Sequence, residues 1–526
     1  MKKFLQNRFN NFYIFLIIYL VVGIFLSINV GITHDEAHNY WIWELNRKNL
    51  LNIFFDEKYD VSYLETYHGF YGIGFYLISA PIELLLKNFI NIKNINIDGY
   101  ILLLKHPVVF IFFTVSGIFF RKIIFLVTKD KLFSDLTTIM YLTYPYILGH
   151  SFFNVKDIPF MSIWLINTFY VIKILENFFN YNLIKKKDLL FFGMLTAYLL
   201  SLRISGILIF IEYLIFLIFY LNSFNIKFVK FLRQNTKNIS IFSISFIFFT
   251  FIFHPGYWSE PLRFLESFRF MSQHIQTVCT ITLGQCMKAQ DLPSSYIFIW
   301  IFFKLPLFIL FGFLIFPFIE KKLFTQKKNV LILAPLICTI LSIIFLLIFF
   351  NVNLYDELRQ VIFLIPIIFI ISLIIFYNYS KKISLILTCF FIIFFIYQNI
   401  KIFPYNYLWL NNFNLFTQVN KNFEKDYWGV STKKIADYFN EKNLSAKSCI
   451  ISNRNDGIKY FLNQQNICFK PFKDLHMKNN RPFYVVLTER ALNKGTPNNC
   501  SIIFEEKTKI NFSQEKIILA KIFKCT

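Results

Sequence analysis

Carboxylates stand in two segments that border long apolar runs. Asp35 and Glu36 follow the first run, within GITHDEAHNYWIWELNRK, and Asp157 follows Lys156 in GHSFFNVKDIPF. Paired carboxylates at one boundary can divide the work of a general base from that of a metal ligand or an electrostatic stabiliser. Acids here also suit the first turn of a helix, where the macrodipole favours them. We take Asp35, Glu36 and Asp157 as candidate catalytic residues.

Cations lie close to the same boundary. Arg203 stands between two short apolar segments, Arg359 follows NLYDE, and Lys304 lies inside the run WIFFKLP, roughly 12 Å deep at 1.5 Å per residue. Charges at membrane depth are costly and usually mark a pathway or a bound ion, although a single long side chain can also snorkel outward. Together with Lys156 they predict a site for an anion whose other end is apolar, such as a lipid phosphate.

A metal ion is a second possibility for this region. Asp35, Asp157 and His38 are candidate ligands for a divalent cation such as Mg²⁺ or Mn²⁺, which leaves the cofactor open. HDEAH also places His34 and His38 at i and i+4, as in the zinc peptidase motif HExxH. The shorter acid, the missing third ligand and the outer-loop position count against a membrane zinc peptidase.

Composition identifies the elements that position these residues. The chain has 526 residues, 56% of them hydrophobic and 16% charged, whereas soluble domains are about 25% charged. Apolar runs long enough to cross a bilayer core of roughly 30 Å recur along it, which predicts a polytopic α-helical membrane protein of about 11 transmembrane helices. The expected spans are 12–30, 100–120, 133–149, 159–179, 189–203, 205–221, 239–254, 296–318, 329–350, 359–379 and 383–401.

The distribution of charge predicts the topology. Alternate short loops carry 20 Lys and Arg against three acids, which is +17 of the net +23. Positive loops face the cytoplasm, so the N-terminus is expected inside, and nucleic acid is not needed to explain the charge. The expected outer segments are the loops 31–99, 150–158, 255–295 and 351–358 and the tail after 401. The first span lacks a signal-peptidase site and is read as a retained anchor.

Residues 70–90 are apolar but do not fit this charge pattern as a span, because crossing there would place the basic loops that follow on the outside. We expect an interfacial or re-entrant segment. Residues 1–401 are thus interpreted as the membrane module. Residues 402–526 contain short alternating apolar segments and one helix-like run, which predicts a small α/β domain on the outer face. An even number of outer cysteines is compatible with disulfides, whose pairing the sequence leaves open.

Several longer segments resemble a known family. NVKDIPF is similar to a usual NPKDxPF, HPGYWSEPLRF to HP-x-x-W-x-x-P, and LYDELRQ to YDGxRH, while FPYNYLWLN followed by KDYWGVS resembles a signature ahead of a terminal outer domain. With Asp35 and Glu36 after the first span, the chain resembles GT-C fold glycosyltransferases, specifically the bacterial relatives of protein O-mannosyltransferases in glycosyltransferase family 39. Three positions depart from the pattern: Val155 replaces Pro, Glu357 replaces Gly and Gln360 replaces His.

The resemblance implies a polyprenyl-phosphate sugar as donor and an inverting transfer to a lipid or protein hydroxyl on the outer face of the bacterial inner membrane. In that reading Asp35 accepts the acceptor's proton, Glu36 orients the acceptor or stabilises the local fold, and Lys156, Arg203, Lys304 and Arg359 neutralise the leaving phosphate. The alternative from a different class is a lipid transporter or flippase, which the many spans and buried charges also allow. Against it, paired halves with matching broken helices are not evident.

Overall fold

Helices make up most of the computed structural model, which describes residues 2–525 apart from 93–94, 182–183, 273–276, 443, 445–447, 464–466, 473–482, 489–490, 493–494, 496 and 511–514. The helices are α1 (Lys2–Ser27), α2 (His34–Phe55), α3 (Gly74–Leu86), α4 (Ile97–Leu103), α5 (Lys105–Thr128), α6 (Lys131–Thr143), α7 (Pro145–Ser151), α8 (Asp157–Tyr181), α9 (Lys186–Leu202), α10 (Ile209–Ser223), α11 (Phe228–Gln234), α12 (Thr236–Phe253), α13 (Arg263–Ser272), α14 (Ser295–Lys304), α15 (Leu307–Phe324), α16 (Lys327–Phe349), α17 (Ile365–Tyr379), α18 (Lys381–Ile402), α19 (Val419–Asn422), α20 (Thr432–Glu441) and α21 (Asn455–Lys459).

Seven helical segments in the described part of the chain are long and apolar enough to cross a membrane, and this makes the chain an integral membrane protein. They are Ile97–Thr128, Asp157–Tyr181, Ile204–Ser223, Thr236–Phe253, Lys327–Phe349, Arg359–Tyr379 and Lys381–Ile402. The pair α14 and α15 makes an eighth if it is counted as one span, although its two halves meet at a bend of 114°.

The other three expected spans are helical but shorter or interrupted. The apolar part of α1 is Asn11–Ser27, and α9 has 17 residues. The expected span 133–149 is divided between α6 and α7, because Tyr144 adopts an extended conformation immediately before Pro145. These segments reach a full crossing only together with flanking residues. The expected number of spans therefore exceeds the number of long, uninterrupted apolar helices.

The apolar stretch expected to be interfacial or re-entrant contains α3, a helix of 13 residues. At 1.5 Å per residue it rises about 20 Å, which is short of a bilayer core of roughly 30 Å. Its Gly74 packs against Ser201 at the end of α9, so closely that a Cβ would lie 2.2 Å from the serine Oγ. The helix length agrees with the expectation of a segment that does not cross.

The segments expected on the outer face form two sheets. Strands β1 (Cys279–Thr282) and β2 (Gln285–Lys288) make an antiparallel hairpin. Five strands, β3 (Cys449–Ser452), β4 (Cys468–Pro471), β5 (Phe483–Thr488), β6 (Cys500–Thr508) and β7 (Ile517–Cys525), form a sheet in the order β4-β3-β5-β7-β6. β3 runs parallel to β4 and β5, and β7 runs antiparallel to β5 and β6. The expected small α/β region is therefore present.

Six of the eight cysteines are paired as Cys279–Cys286, Cys449–Cys468 and Cys500–Cys525. The last two disulfides each join directly opposed positions of neighbouring strands. The two remaining cysteines, Cys338 and Cys389, are free and lie in the membrane helices α16 and α18. Disulfides thus occur in the segments that the charge pattern assigns to the outer face.

The segment between α18 and α20 packs with the membrane helices. Its buried aromatic residues, among them Tyr407, Trp409 and Trp428, belong to the same apolar core as α5, α8 and α17. A separate core joins α20, through Ile435, to the five-stranded sheet, and it also includes Ile32, Leu102 and Leu103. The boundary expected at 401–402 therefore precedes a segment of about thirty residues that is packed onto the helices.

Candidate active site

Asp35 projects from the first turn of α2, where the sequence provides the cap. The backbone N–H of Thr33 donates to Oε1 of Glu36 at 2.7 Å, and its hydroxyl donates to the same oxygen at 2.9 Å. This is the acidic half of a capping box, which satisfies donors that the first turn leaves unpaired. Asp35 is thereby fixed one residue before Glu36, on a different side of the helix.

Glu36 faces inward. Its side chain is 1% exposed, and Oε2 lies 2.9 Å from Nε2 of His106 on α5. The other ring nitrogen of His106 lies 3.0 Å from the carbonyl oxygen of Ser27. Of the two roles expected for Glu36, the contacts support stabilisation of the local fold, because Oε1 caps α2 and Oε2 joins α2 to α5.

Asp157 begins α8 behind a tight turn. The side-chain oxygen of Asn154 accepts the backbone N–H of Asp157 at 2.9 Å, and its amide donates to Oδ2 of Asp157 at 2.9 Å. Lys156 lies between them in the chain and has a different neighbour, with Nζ 3.9 Å from the centre of the Tyr71 ring. The turn thus orients the carboxylate and the ammonium to different sides.

Two breaks in helical structure bring the arginines to Asp157. Arg203 has extended backbone at the end of α9 and forms an ion pair with Oδ1 of Asp157. Arg359 follows Asp356 and Glu357, whose φ angles of 54° and 65° are left-handed. Such angles favour glycine, which accounts physically for the Gly that the resembled pattern has where this chain has Glu357.

Arg359 is the centre of the ionic network. It contacts Oδ2 of Asp35 at 2.9 Å, Oδ2 of Asp157 at 3.3 Å and Oδ2 of Asp356 at 2.9 Å. Its guanidinium also lies 4.1 Å from the centre of the Trp428 ring. Asp157 is 1% exposed and Asp35 is 34% exposed. Of the two carboxylates, Asp35 is therefore the one that a substrate can reach.

A cavity of about 340 Å³ opens beside this network. One end is polar and is lined by Asp35, Lys156, Arg203 and Arg359. The other walls are largely apolar and come from the 3₁₀ segment Ile204–Leu208, α13, the end of α16 and the segment 70–72. They include Phe70, Leu208, Phe268, Met271, Leu347 and Phe350. The cavity thus combines three cations and one accessible carboxylate with an apolar lining.

The surroundings of the polar end shift the pKa values of Asp35 and Lys156. Burial alone would raise the pKa of Asp35, but His34 and Arg359 outweigh it, so that the pKa lies well below its ordinary value. Burial lowers the pKa of Lys156 to about 7, against the opposing effect of Asp35. Asp35 is therefore ionised at neutral pH, and Lys156 changes its charge close to neutrality.

Lys304 is not part of the cavity lining. Its ammonium lies 2.6 Å from Oε2 of Glu357, with the two side chains 0% and 2% exposed, and it donates to the carbonyl oxygen of Tyr407 at 3.2 Å. The expectation that Lys304 contacts a donor phosphate does not fit this arrangement. The sequence correctly indicated that Lys304 is a buried charge, but its partner is the carboxylate of Glu357 in the same chain.

The candidate metal ligands do not come together. Nε2 of His38 lies 3.2 Å from Nδ1 of His68, and the oxygens of Asp157 are held by Arg203, Arg359 and Asn154. Within the described residues, no group of three or more His, Cys, Asp or Glu side chains is arranged to hold a metal ion. The HDEAH histidines likewise have separate neighbours, since Nε2 of His34 lies 3.0 Å from Asp35. The donor set does not fit a divalent cation or the zinc of a peptidase.

Solved structures of ArnT, a GT-C glycosyltransferase, from Cupriavidus metallidurans resemble the chain along nearly its whole length. The structure bound to undecaprenyl phosphate aligns with a TM-score of 0.50 and 10% sequence identity, covering 99% of this chain and 98% of that chain. This chain has a GT-C fold. The apo structure aligns with a TM-score of 0.48 and 10% identity, covering 98% of each chain. No protein-family model and no curated sequence matches the chain.

Some residues of the site were not anticipated. Asp356 completes the contacts of Arg359, and its spacing of three residues within LYDELRQ was a usable signal. Trp428, which belongs to KDYWGVS, contacts the guanidinium of Arg359 with its ring. Tyr71, which belongs to the apolar stretch 70–90, contacts the ammonium of Lys156 in the same way. Each of these two contacts joins residues that are tens of positions apart in the chain, so that local sequence carried no signal for them.

Proposed function

We propose that the protein is an inverting glycosyltransferase that moves a hexosyl or pentosyl group from a polyprenyl-phosphate donor to a hydroxyl of an envelope glycolipid or protein. The observation that carries the proposal is the cavity. Its polar end offers Lys156, Arg203 and Arg359 to a phosphate and an exposed carboxylate, Asp35, to a hydroxyl. Its apolar walls suit a lipid chain. The GT-C fold and the family 39 motifs support the same reading.

Asp35 is the proposed base. The acceptor hydroxyl forms a hydrogen bond to the carboxylate, and its oxygen attacks the anomeric carbon as the bond from that carbon to the phosphate oxygen breaks. The hydroxyl proton passes to Asp35, and the electron pair of the broken bond leaves with the polyprenyl phosphate. Attack from the side opposite the leaving group inverts the anomeric centre. Such a base contributes typically 10²–10⁴-fold.

Arg359 links the base to the leaving group. In the free protein its guanidinium contacts Asp35 at 2.9 Å, which stabilises the carboxylate and weakens it as a base. A donor phosphate at the polar end competes for this guanidinium, together with Arg203 and Lys156. Binding the donor would thus raise the basicity of Asp35 and supply cations where negative charge develops on the phosphate.

We further propose that the site faces the outer side of the bacterial cytoplasmic membrane, with the N-terminus inside. The basic loops support this orientation. The three disulfides in segments 279–286 and 449–525 also support it, because disulfides persist in oxidising compartments. A lipid-linked donor fits that side, where cytoplasmic sugar nucleotides are not available.

The first prediction is that Asp35→Asn abolishes transfer. A strain lacking the gene is complemented with the wild type, Asp35→Asn or Glu44→Gln, and envelope glycolipids and glycoproteins are compared by mass spectrometry. Glu44 is a matched control because it lies on α2 and pairs with Arg47 at 2.7 Å, outside the cavity lining. We expect a loss of one sugar mass in the deletion strain and in Asp35→Asn, with activity reduced by about 10²-fold or more.

The Glu44→Gln strain should keep the parental masses, and all variants should reach equal levels in the membrane. Near-wild-type transfer by Asp35→Asn would overturn the assignment of the base. Purified protein in liposomes that moves a labelled lipid across the bilayer without changing its mass would instead favour the transporter.

A further inference from the structure

Lys304 and Glu357 form a buried ion pair beside the candidate site but outside its cavity. The ammonium and the carboxylate are 2.6 Å apart, and the side chains are 0% and 2% exposed. A charge so deeply buried is strongly unfavourable without its partner. The pair therefore fixes the end of α14 against the loop that precedes Arg359.

The same loop is held at its backbone. The N–H of Glu357 donates to the hydroxyl of Tyr296 on α14 at 2.9 Å. The hydroxyl of Tyr427 donates to Oε2 of Glu357 at 3.3 Å. Glu357 is thus held by three side chains, those of Lys304, Tyr296 and Tyr427, which come from the end of α14, its first turn and the segment after α18.

These contacts maintain an unfavourable backbone conformation. Asp356 and Glu357 have successive left-handed φ angles of 54° and 65°, which residues with a Cβ adopt at a cost in energy. Such a conformation persists where the surrounding contacts determine it. Here the contacts of the Glu357 side chain hold the backbone in this conformation, two residues before Arg359.

Arg359 is the residue that this arrangement places. The indole of Trp428, next to Tyr427 in the chain, lies 4.1 Å from its guanidinium. From this position the guanidinium contacts Asp35 at 2.9 Å and Asp157 at 3.3 Å. One anchor of Glu357, Tyr427, and the ring beneath Arg359, Trp428, are thus neighbours in the same segment.

We infer that Lys304 and Glu357 are positioning residues that hold the 356–359 loop and so set Arg359 between Asp35, Asp157 and the phosphate of the donor. The contact of Arg359 with the donor phosphate rests on the proposed function, whereas the placement of Arg359 by the ion pair does not. The two residues are mutually dependent, and loss of one charge is expected to do more harm than loss of both.

The test is a double-mutant cycle of Lys304→Met, Glu357→Gln and the combined variant. Gln preserves the volume of Glu357 and an acceptor for Tyr427. Burial raises the pKa of the Glu357 carboxyl to about 7, against the effect of Lys304, so measurements are made at pH 8, where the carboxylate is charged. The matched control is Lys328→Met, which removes a Lys–Glu pair with Glu176 that is partly exposed and outside the cavity lining.

Two readouts separate positioning from general stability. The first is the Kd for undecaprenyl phosphate in detergent. The second is the rate at which phenylglyoxal labels Arg359, mapped by mass spectrometry with Arg47, which pairs with Glu44 outside the cavity lining, as internal reference. We expect each single variant to weaken binding about tenfold and to label Arg359 faster, and the double variant to recover both to within about threefold of the wild type. Lys328→Met should match the wild type in both.

Unchanged labelling of Arg359 in the single variants, or a double variant as impaired as either one, would overturn the inference. If a single variant cannot be purified, the double variant decides: its recovery supports the coupling and its loss contradicts it. If the wild type fails to bind undecaprenyl phosphate, the proposed donor is wrong, while the labelling rates still decide whether the pair places Arg359.

Discussion

At the scale of single residues, Lys156 differs from the two arginines of the site in its contacts. Its ammonium lies over the Tyr71 ring at 3.9 Å, and it forms no ion pair with a carboxylate in the described part of the chain. Arg203 and Arg359 each form an ion pair with Asp157. Lys156 is therefore the cation that can meet a phosphate without first leaving a carboxylate, and its charge depends on pH.

The second set of predictions concerns that pH dependence. Because burial lowers the pKa of Lys156 to about 7, the residue is charged below this pH and loses its proton above it. Affinity for undecaprenyl phosphate should fall as the pH rises from 6 to 9, by roughly tenfold for one charge-assisted contact. Lys156→Arg, which stays charged, should lose little affinity over the same range.

The measurement is the ratio of the two Kd values at each pH, since titration of the phosphate itself affects both proteins alike. A ratio that stays constant from pH 6 to 9 would show that Lys156 does not titrate in the free site or does not contact the phosphate.

Residue types and spacing were sufficient to identify the polar end of the cavity, but not the partners of each charge. Asp35, Lys156, Arg203 and Arg359 were all singled out, and all four line one cavity. Lys304 was singled out for its depth, yet it pairs with Glu357. A charged residue inside an apolar run can be expected to be buried. Its partner cannot be predicted in the same way, because it depends on which helices pack together.

At the scale of elements, α7 crosses the short 3₁₀ segment Asn406–Leu408 with almost no space between their backbones. A Cβ on Gly149 would lie 2.1 Å from the backbone nitrogen of Tyr407. α7 leads directly into the turn that orients Lys156 and Asp157. The close approach therefore connects the position of this turn to the segment after α18.

Gly149→Ala should consequently disturb both stability and the site. Overpacking against backbone costs typically about 1–3 kcal/mol, so the melting temperature in detergent should fall by several degrees and donor affinity should fall with it. Gly256→Ala is the control, because its added Cβ meets one side-chain oxygen of Asn46 at 3.1 Å. Equal melting temperatures for the two variants would contradict the tight crossing.

Helix positions followed from hydropathy more reliably than helix continuity did. The runs that became α8, α12 and α16 were expected within a few residues of their observed ends. The break at Pro145 and the bend after Lys304 were not expected. Apolar composition determines which segments enter the membrane, but a break also requires neighbours that accept the freed backbone groups.

At the scale of the whole molecule, the cysteines divide into a paired set outside the membrane helices and an unpaired set within them. Of the eight cysteines, Cys338 and Cys389 are free. Denatured, unreduced protein should therefore take up two maleimide groups per chain and reduced protein eight, as read from intact mass. Peptide mapping should place the two on α16 and α18. Uptake of four or more without reductant would show that an outer pair is not formed in the cell.

The contact between Trp428 and Arg359 bears on how such a chain can be divided. Trp428 lies after the last membrane helix, within the part that composition alone would separate as an outer domain, yet its indole supports the guanidinium at the centre of the ionic network. A chain ending after α18 would keep the long apolar helices but lose the aromatic ring that contacts Arg359 in the candidate site. A chimera that exchanges the C-terminal domain with that of a relative should for this reason have its junction after Val430, so that the recipient chain keeps its own Trp428 against Arg359.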